Sequence, residues 1–181
     1  MSLKKLKYLT RSQLQTIHNL GGERNAQKVL KSMEEYLNSF REGETVYYLS
    51  KAGAERVDFK GNVKKTTTAR HYIMRNALYI AFNQPDTWKN EVKMRVKEVA
   101  TIICDATFTI GKQRYIVEID HEQKMVANRK KLEKYCRLVD AGVFEIPPIF
   151  LWMTTTEYRQ KQLIKMHEGL DSQIFILSDF Q

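Results

Sequence analysis

Four acidic residues, Glu91, Asp105, Glu118 and Asp120, fall within three short segments whose alternation marks them as strands. The segments are WKNEVKMRV (88–96), ATIICDATFTI (100–110) and QRYIVEID (113–120). In the first, Val92, Met94 and Val96 share one side, and Glu91, Lys93, Arg95 and Lys97 the other. In the second, alternation groups Ile102, Cys104, Ala106, Phe108 and Ile110 and leaves Asp105 opposite them. In the third, Tyr115, Val117 and Ile119 share a side, which puts Glu118 and Asp120 together on the other. Paired in order, the three strands would form a meander with one apolar face. The second face would gather all four acids beside Lys93 and Arg95. Carboxylates crowded together repel and raise one another's pKa unless a cation sits among them. Two outcomes follow. Either the face holds a divalent ion, Mg²⁺ or Mn²⁺, or it is neutralised by Lys93, Arg95 or a lysine of the next helix such as Lys124 or Lys130. His121 adjoins the acids and is the one histidine placed to titrate near them.

The elements that must position these residues are readable on both sides. Gly111-Lys112 suits a hairpin turn between the second and third strands. Before the strands, residues 69–83 predict an amphipathic helix with Ile73, Ala77, Ile80 and Ala81 inward, ended by Pro85. After them, 126–141 predicts a helix with Leu132, Tyr135, Cys136 and Val139 on one side and Arg129, Lys130, Lys131 and Lys134 on the other. Pro147-Pro148 precedes IFLWMT, an unbroken apolar run that suits a central strand covered on both faces. A helix over 156–167 and a strand at QIFILS complete an order of α-β-β-β-α-β-α-β.

The first third of the chain reads differently. Thr10 with Gln13 forms a capping-box signature at the start of a helix over 9–20, and Gly21-Gly22 closes it. Residues 23–40 predict a second helix with Ala26, Val29, Leu30, Met33 and Leu37 inward. A turn at Glu42-Gly43, a strand over 45–49 and a Ser-capped helix over 50–57 follow. Helix, glycine turn, helix and hairpin is the order of a winged helix-turn-helix, whose second helix enters the major groove. Arg24, Asn25 and Gln27 are residue types that read base edges, and Lys28 and Lys31 suit phosphate. The expected division is a winged-helix DNA-binding domain over 1–58, a linker over 59–68 and an α/β domain over 69–181, an α+β chain overall.

Charge supports a polyanionic partner. The 181 residues carry a net charge of +9. Residues 1–65 hold 13 Lys and Arg against 7 Asp and Glu, and the remainder 17 against 14, so the excess concentrates in the proposed DNA-contacting part. Double-stranded DNA is the expected partner. No apolar run is long enough for a membrane helix, and MSLKKLKYLT lacks the apolar core of a signal peptide, so no membrane partner and a cytoplasmic location are expected. Cys104 and Cys136 stand far apart, outside any CxxC pair, and read as buried free thiols.

YLTRSQL, ERNAQKVL, VYYLSKAGAE, CDA, YIVEID and the KLEKY helix occur in the order seen in replication-relaxation proteins of bacterial plasmids and mobile elements, and the chain resembles that family along nearly its whole length. The resemblance implies an N-terminal winged helix, a C-terminal PD-(D/E)XK nuclease-like domain and a role in element DNA replication, relaxation or transfer. Transferred by position, the nuclease pattern makes Asp105 and Glu118 the metal ligands, with Glu91 as the acid that often precedes them. Asp120, however, stands where the pattern has its lysine, so Lys93 or a helix lysine would have to substitute. The resemblance therefore implies one of three activities: a DNA-binding protein acting in replication or transfer, a Mg²⁺- or Mn²⁺-dependent endodeoxyribonuclease with Asp105, Glu118, Asp120, Glu91 and Lys93 as its catalytic set, or a transcriptional regulator that keeps the nuclease-like fold as a homodimerisation or scaffold module.

Overall fold

The computed structural model describes residues 2–61 and 64–180. They form a mixed α+β chain with two sheets that divides into two compact units, 1–80 and 81–181.

The first unit runs α1 (Ser2–Leu6), β1 (Leu9–Thr10), α2 (Arg11–Ile17), α3 (Glu23–Ser32), β2 (Leu37–Glu42), β3 (Glu44–Leu49), α4 (Lys51–Arg56) and α5 (Ala69–Ala81). Its sheet is antiparallel in the order β1-β3-β2. The capping box of α2 is formed: Gln13 N donates to Thr10 Oγ1 at 3.1 Å, and Thr10 N donates to Gln13 Oε1 at 3.2 Å. The Ser50 cap of α4 is also formed, its Oγ accepting from Gly53 N at 3.0 Å. A Cβ on Gly53 would meet Tyr36 O at 2.0 Å, so α4 lies against backbone at a place only glycine permits.

Two expectations fail here. The helix predicted over 23–40 stops at Ser32, and Leu37 to Phe40 belong to β2, paired with β3 from Leu37↔Leu49 to Glu42↔Glu44. Leu37 keeps helical spacing from Leu30 and Met33, but strand pairing overrides that local signal. The helix 69–81, expected to open the second unit, packs in the first. Asn76 Nδ2 donates to Leu6 O at 3.1 Å and Tyr8 O at 2.7 Å, and Gln13 Nε2 donates to Ile73 O at 2.9 Å. Its buried residues are Ala69 and Met74 to Tyr79, whereas Ala81 is exposed.

The second unit runs β4 (Lys89–Val96), β5 (Ala100–Ile110), β6 (Gln113–Asp120), α6 (Met125–Asp140), β7 (Ile149–Thr154), α7 (Glu157–Met166) and β8 (Ser172–Ile176), with a closing turn of 3-10 helix over Leu177–Phe180. The sheet order is β4-β5-β6-β7-β8, antiparallel through β6 and parallel from β6 to β8. Gly111 supplies the positive φ (+57°) that the tight β5–β6 turn needs. β7 is central and buried from Phe150 to Thr154, as its unbroken apolar run predicts.

Alternation does not hold along the whole of β4 and β5. Directly opposed residues of neighbouring strands project to one face. Val92, Met94 and Val96 lie opposite Cys104, Ile102 and Ala100, and all pack in the cluster built on Tyr135 and Leu138 of α6. Ile116 belongs to the same cluster. Phe108, by contrast, lies opposite Tyr115 and stacks on it at 4.8 Å, with Trp88 stacked at 5.2 Å. Tyr115 and Ile116 are adjacent in a strand, so Phe108 faces away from the α6 side on which Cys104 sits. The switch occurs at Glu91 and Asp105, the one position missing from the β4–β5 register, and Glu91 takes φ +54°. A positive φ is uncommon outside glycine and marks a local kink, with the same register on either side of it.

Candidate functional site

β6 carries Glu118 and Asp120 to the α6 side, as alternation predicts, but the two are wholly buried rather than displayed. Each has its own set of donors. Glu118 Oε2 accepts from Lys131 Nζ and Oε1 from Tyr135 Oη, both very close contacts. Asp120 takes a bidentate grip from Arg159: Nε donates to Oδ2 at 2.8 Å and Nη2 to Oδ1 at 2.6 Å. Asn128 Nδ2 adds a bond to Oδ1 at 2.8 Å, and Thr154 Oγ1 one to Oδ2 at 2.8 Å. Asp120 thereby ties β6 to α6, β7 and α7.

Asn128, Lys131 and Tyr135 stand at helical spacing on one side of α6, which is how a single helix reaches both acids. Asp105 stands at the β5 kink. Its Oδ2 accepts from Ile119 N at 2.7 Å, so the side chain bonds β6 just beyond Ala106↔Val117, the last pair of the β5–β6 ladder. Burial, and next the neighbouring Asp105 charge, push the Glu118 carboxyl well above the usual glutamate range, with Lys131 opposing them. The two carboxylates in turn hold Lys131 protonated to higher pH than an ordinary lysine, overcoming the effect of its burial. Burial raises the Cys104 thiol to about 12, which makes it inert as a nucleophile.

The expected acidic face is therefore divided. Glu91, Lys93 and Arg95 are exposed. Lys93 and Arg95 lie opposite Ile103 and Thr101, on the side of β4–β5 that faces away from α6 and from Glu118. Lys93 is thus not placed to act with Glu118. The lysine that is comes from α6, but it is Lys131; Lys124 and Lys130 are exposed. Among the described residues no three His, Cys, Asp or Glu side chains gather as a metal-binding group. Both Glu118 oxygens are already engaged by protein donors, one of them a cation. The residues as positioned do not fit a divalent ion, and Asp120 is consumed by Arg159. Five side-chain partners of these acids are not legible in the sequence: Lys131 groups with its exposed neighbours, Tyr135 reads only as apolar, and Asn128, Thr154 and Arg159 carry no signal of their own.

The second candidate site is α3. Arg24, Gln27, Lys28 and Lys31 recur at i, i+3, i+4 and i+7 and form one exposed stripe, opposite buried Ala26 and Leu30. Asn25 is exposed but its Nδ2 donates to Leu20 O at 2.7 Å, and Gln27 Nε2 donates to Glu23 Oε1 at 3.1 Å. Arg24, Lys28 and Lys31 make no ion pair among the described residues. No helix among the described residues is long and apolar enough to cross a membrane.

The chain matches no curated protein. Among solved structures, protein VC1899 from Vibrio cholerae is similar over 88% of this chain and 40% of its own, at 11% identity and a TM-score of 0.45. Can2 from Sulfobacillus thermosulfidooxidans, solved in complex with cyclic tetra-adenylate, is similar over 97% of this chain and 47% of its own, at 10% identity and a TM-score of 0.40. The chain thus spans less than half the length of either. The family model described as replication-relaxation matches residues 1–147, most of the sequence, and the chain belongs to that family.

Proposed function

We propose that this is a DNA-binding protein acting in the replication, relaxation or transfer of bacterial plasmid or mobile-element DNA, and that its first unit is a winged helix that contacts duplex DNA through α3. The α3 stripe carries the reading. Arg24, Lys28 and Lys31 project to solvent from the helix that precedes the β2–β3 hairpin, opposite its buried side. Lys28 and Lys31 serve phosphates. Arg24 is the base reader, because Asn25 and Gln27 already donate to neighbouring groups. The test is duplex binding across a salt titration. Lys28→Ala with Lys31→Ala weakens binding to all sequences and lowers the salt slope by about one per lysine removed. An unchanged slope places the DNA contact elsewhere.

Supporting the binding reading over catalysis is the state of Glu118 and Asp120, each closed by a basic partner. A metal-dependent endonuclease would require Mg²⁺ or Mn²⁺ to displace Lys131 from Glu118. Supercoiled plasmid incubated with the protein and either ion tests this. Nicking or cleavage that is lost in Glu118→Gln would establish the nuclease in place of the binding role alone.

A further inference from the structure

The first unit encloses a cavity of about 440 Å³ that the DNA-binding reading does not use. Leu14, Leu30, Met33, Leu37 and Leu49 supply an apolar wall, each from a different part of the α2–β3 framework. Its volume lies in the range of about 300–1,000 Å³ typical of small-molecule sites. The exposed residues that line it, and so mark its mouth, include Lys4, His18 and Arg56. No Asp or Glu lines it. Lys4 Nζ is held by Val57 O at 2.8 Å, and His18 Nε2 by Ser2 Oγ at 2.8 Å. Arg56 makes no hydrogen bond or ion pair among the described residues, so its guanidinium is available at the opening.

An apolar chamber with a basic mouth selects a molecule with the opposite pattern: an apolar body ending in one anionic group. We infer that this cavity is a binding site for a small amphiphilic carboxylate, its apolar part among the leucines and its carboxylate paired with Arg56. The guanidinium fork matches a carboxylate in two parallel hydrogen bonds, which a bare apolar hole cannot offer. Val29 and Leu30 of α3, with Met33 just past its end, form part of the wall, so the ligand sits directly behind the helix that bears the basic stripe.

Decanoate is the probe, titrated calorimetrically into the full chain without DNA. One decanoate binds per chain and saturates. Decyltrimethylammonium, of similar length but opposite charge, binds at least about tenfold more weakly, the loss expected for one charge-assisted contact. Arg56→Glu, an exposed position that leaves the fold intact, weakens decanoate by the same order. Val29→Trp places an indole in the chamber and abolishes binding, with circular dichroism confirming that the helices persist. The inference is overturned by three results: no saturable decanoate binding, equal binding of the two head groups, or wild-type affinity in Arg56→Glu. The assay contains no nucleic acid, so its outcome is independent of whether α3 contacts DNA.

Discussion

The α3 stripe and the β6 acids present the same kind of signal in the sequence, charged residues at regular spacing, yet they end in opposite environments. Arg24, Lys28 and Lys31 stay in water, whereas Glu118 and Asp120 are wholly buried. The difference lies in what covers each element. One side of α3 meets its own unit and the other meets nothing within it, so helical period alone sorts the residues. β6 lies inside a sheet with α6 across the face that bears its acids, so alternation gives the direction of Glu118 and Asp120 but not their exposure. A regular charge pattern therefore reports exposure only where the element is covered on one side.

The largest expected effect tests the buried half of that contrast. Asp120→Ala strands Arg159, Asn128 and Thr154 and destabilises the protein by about 3–5 kcal/mol, measured by chemical denaturation. A loss as small as that of a surface change would mean that the acid is not held as described.

Next is Lys131→Met, with an expected loss of about 1–3 kcal/mol near neutral pH. Its pH dependence identifies the partner. Glu118 has a raised folded pKa, so its contribution is full below the ordinary glutamate pKa and falls as pH rises through the raised value. Removing Lys131 takes away a group that lowers that pKa, so the variant goes on losing stability above the pH at which the native protein levels off, and its deficit grows as pH rises through and beyond the raised value. The contribution of Lys131 itself disappears only above its raised value, beyond the ordinary 10.5. A deficit independent of pH would show that the lysine acts through packing alone.

Thr10→Ala removes one half of the α2 capping box and costs about 1 kcal/mol. The smallest effect completes the comparison. Lys28→Ala with Lys31→Ala changes stability by no more than about 0.5 kcal/mol, because neither lysine has an ion-pair partner among the described residues to lose. A larger loss would make the stripe structural, like the acids.

Much of the second unit is legible in sequence. β5 and β6 occupy the segments that alternation marks, and α6, β7 and α7 agree within a residue or two. In the site, the side to which Glu118 and Asp120 point is also legible. What is hidden depends on neighbours distant in the chain. The switch of faces at Glu91 and Asp105 requires a positive φ in a glutamate, which no pattern announces. Lys131 falls beside Leu132 on the helix and reads as solvated until β6 is placed under it. Arg159 lies 39 residues from the acid it grips. In the first unit, the end of α3 is obscured because Leu37 satisfies two periods at once.

The grip of Arg159 on Asp120 also bears on how the second unit comes apart. It joins β6 to α7 across the parallel β6–α6–β7 crossover, so it forms only after β7 has found its place beside β6. Contacts of such long sequence separation carry a high closure cost and belong late on the folding route. Weakening this one is expected to leave the refolding rate almost unchanged and to speed unfolding, so that the bond governs how long the native unit lasts rather than how quickly it is made.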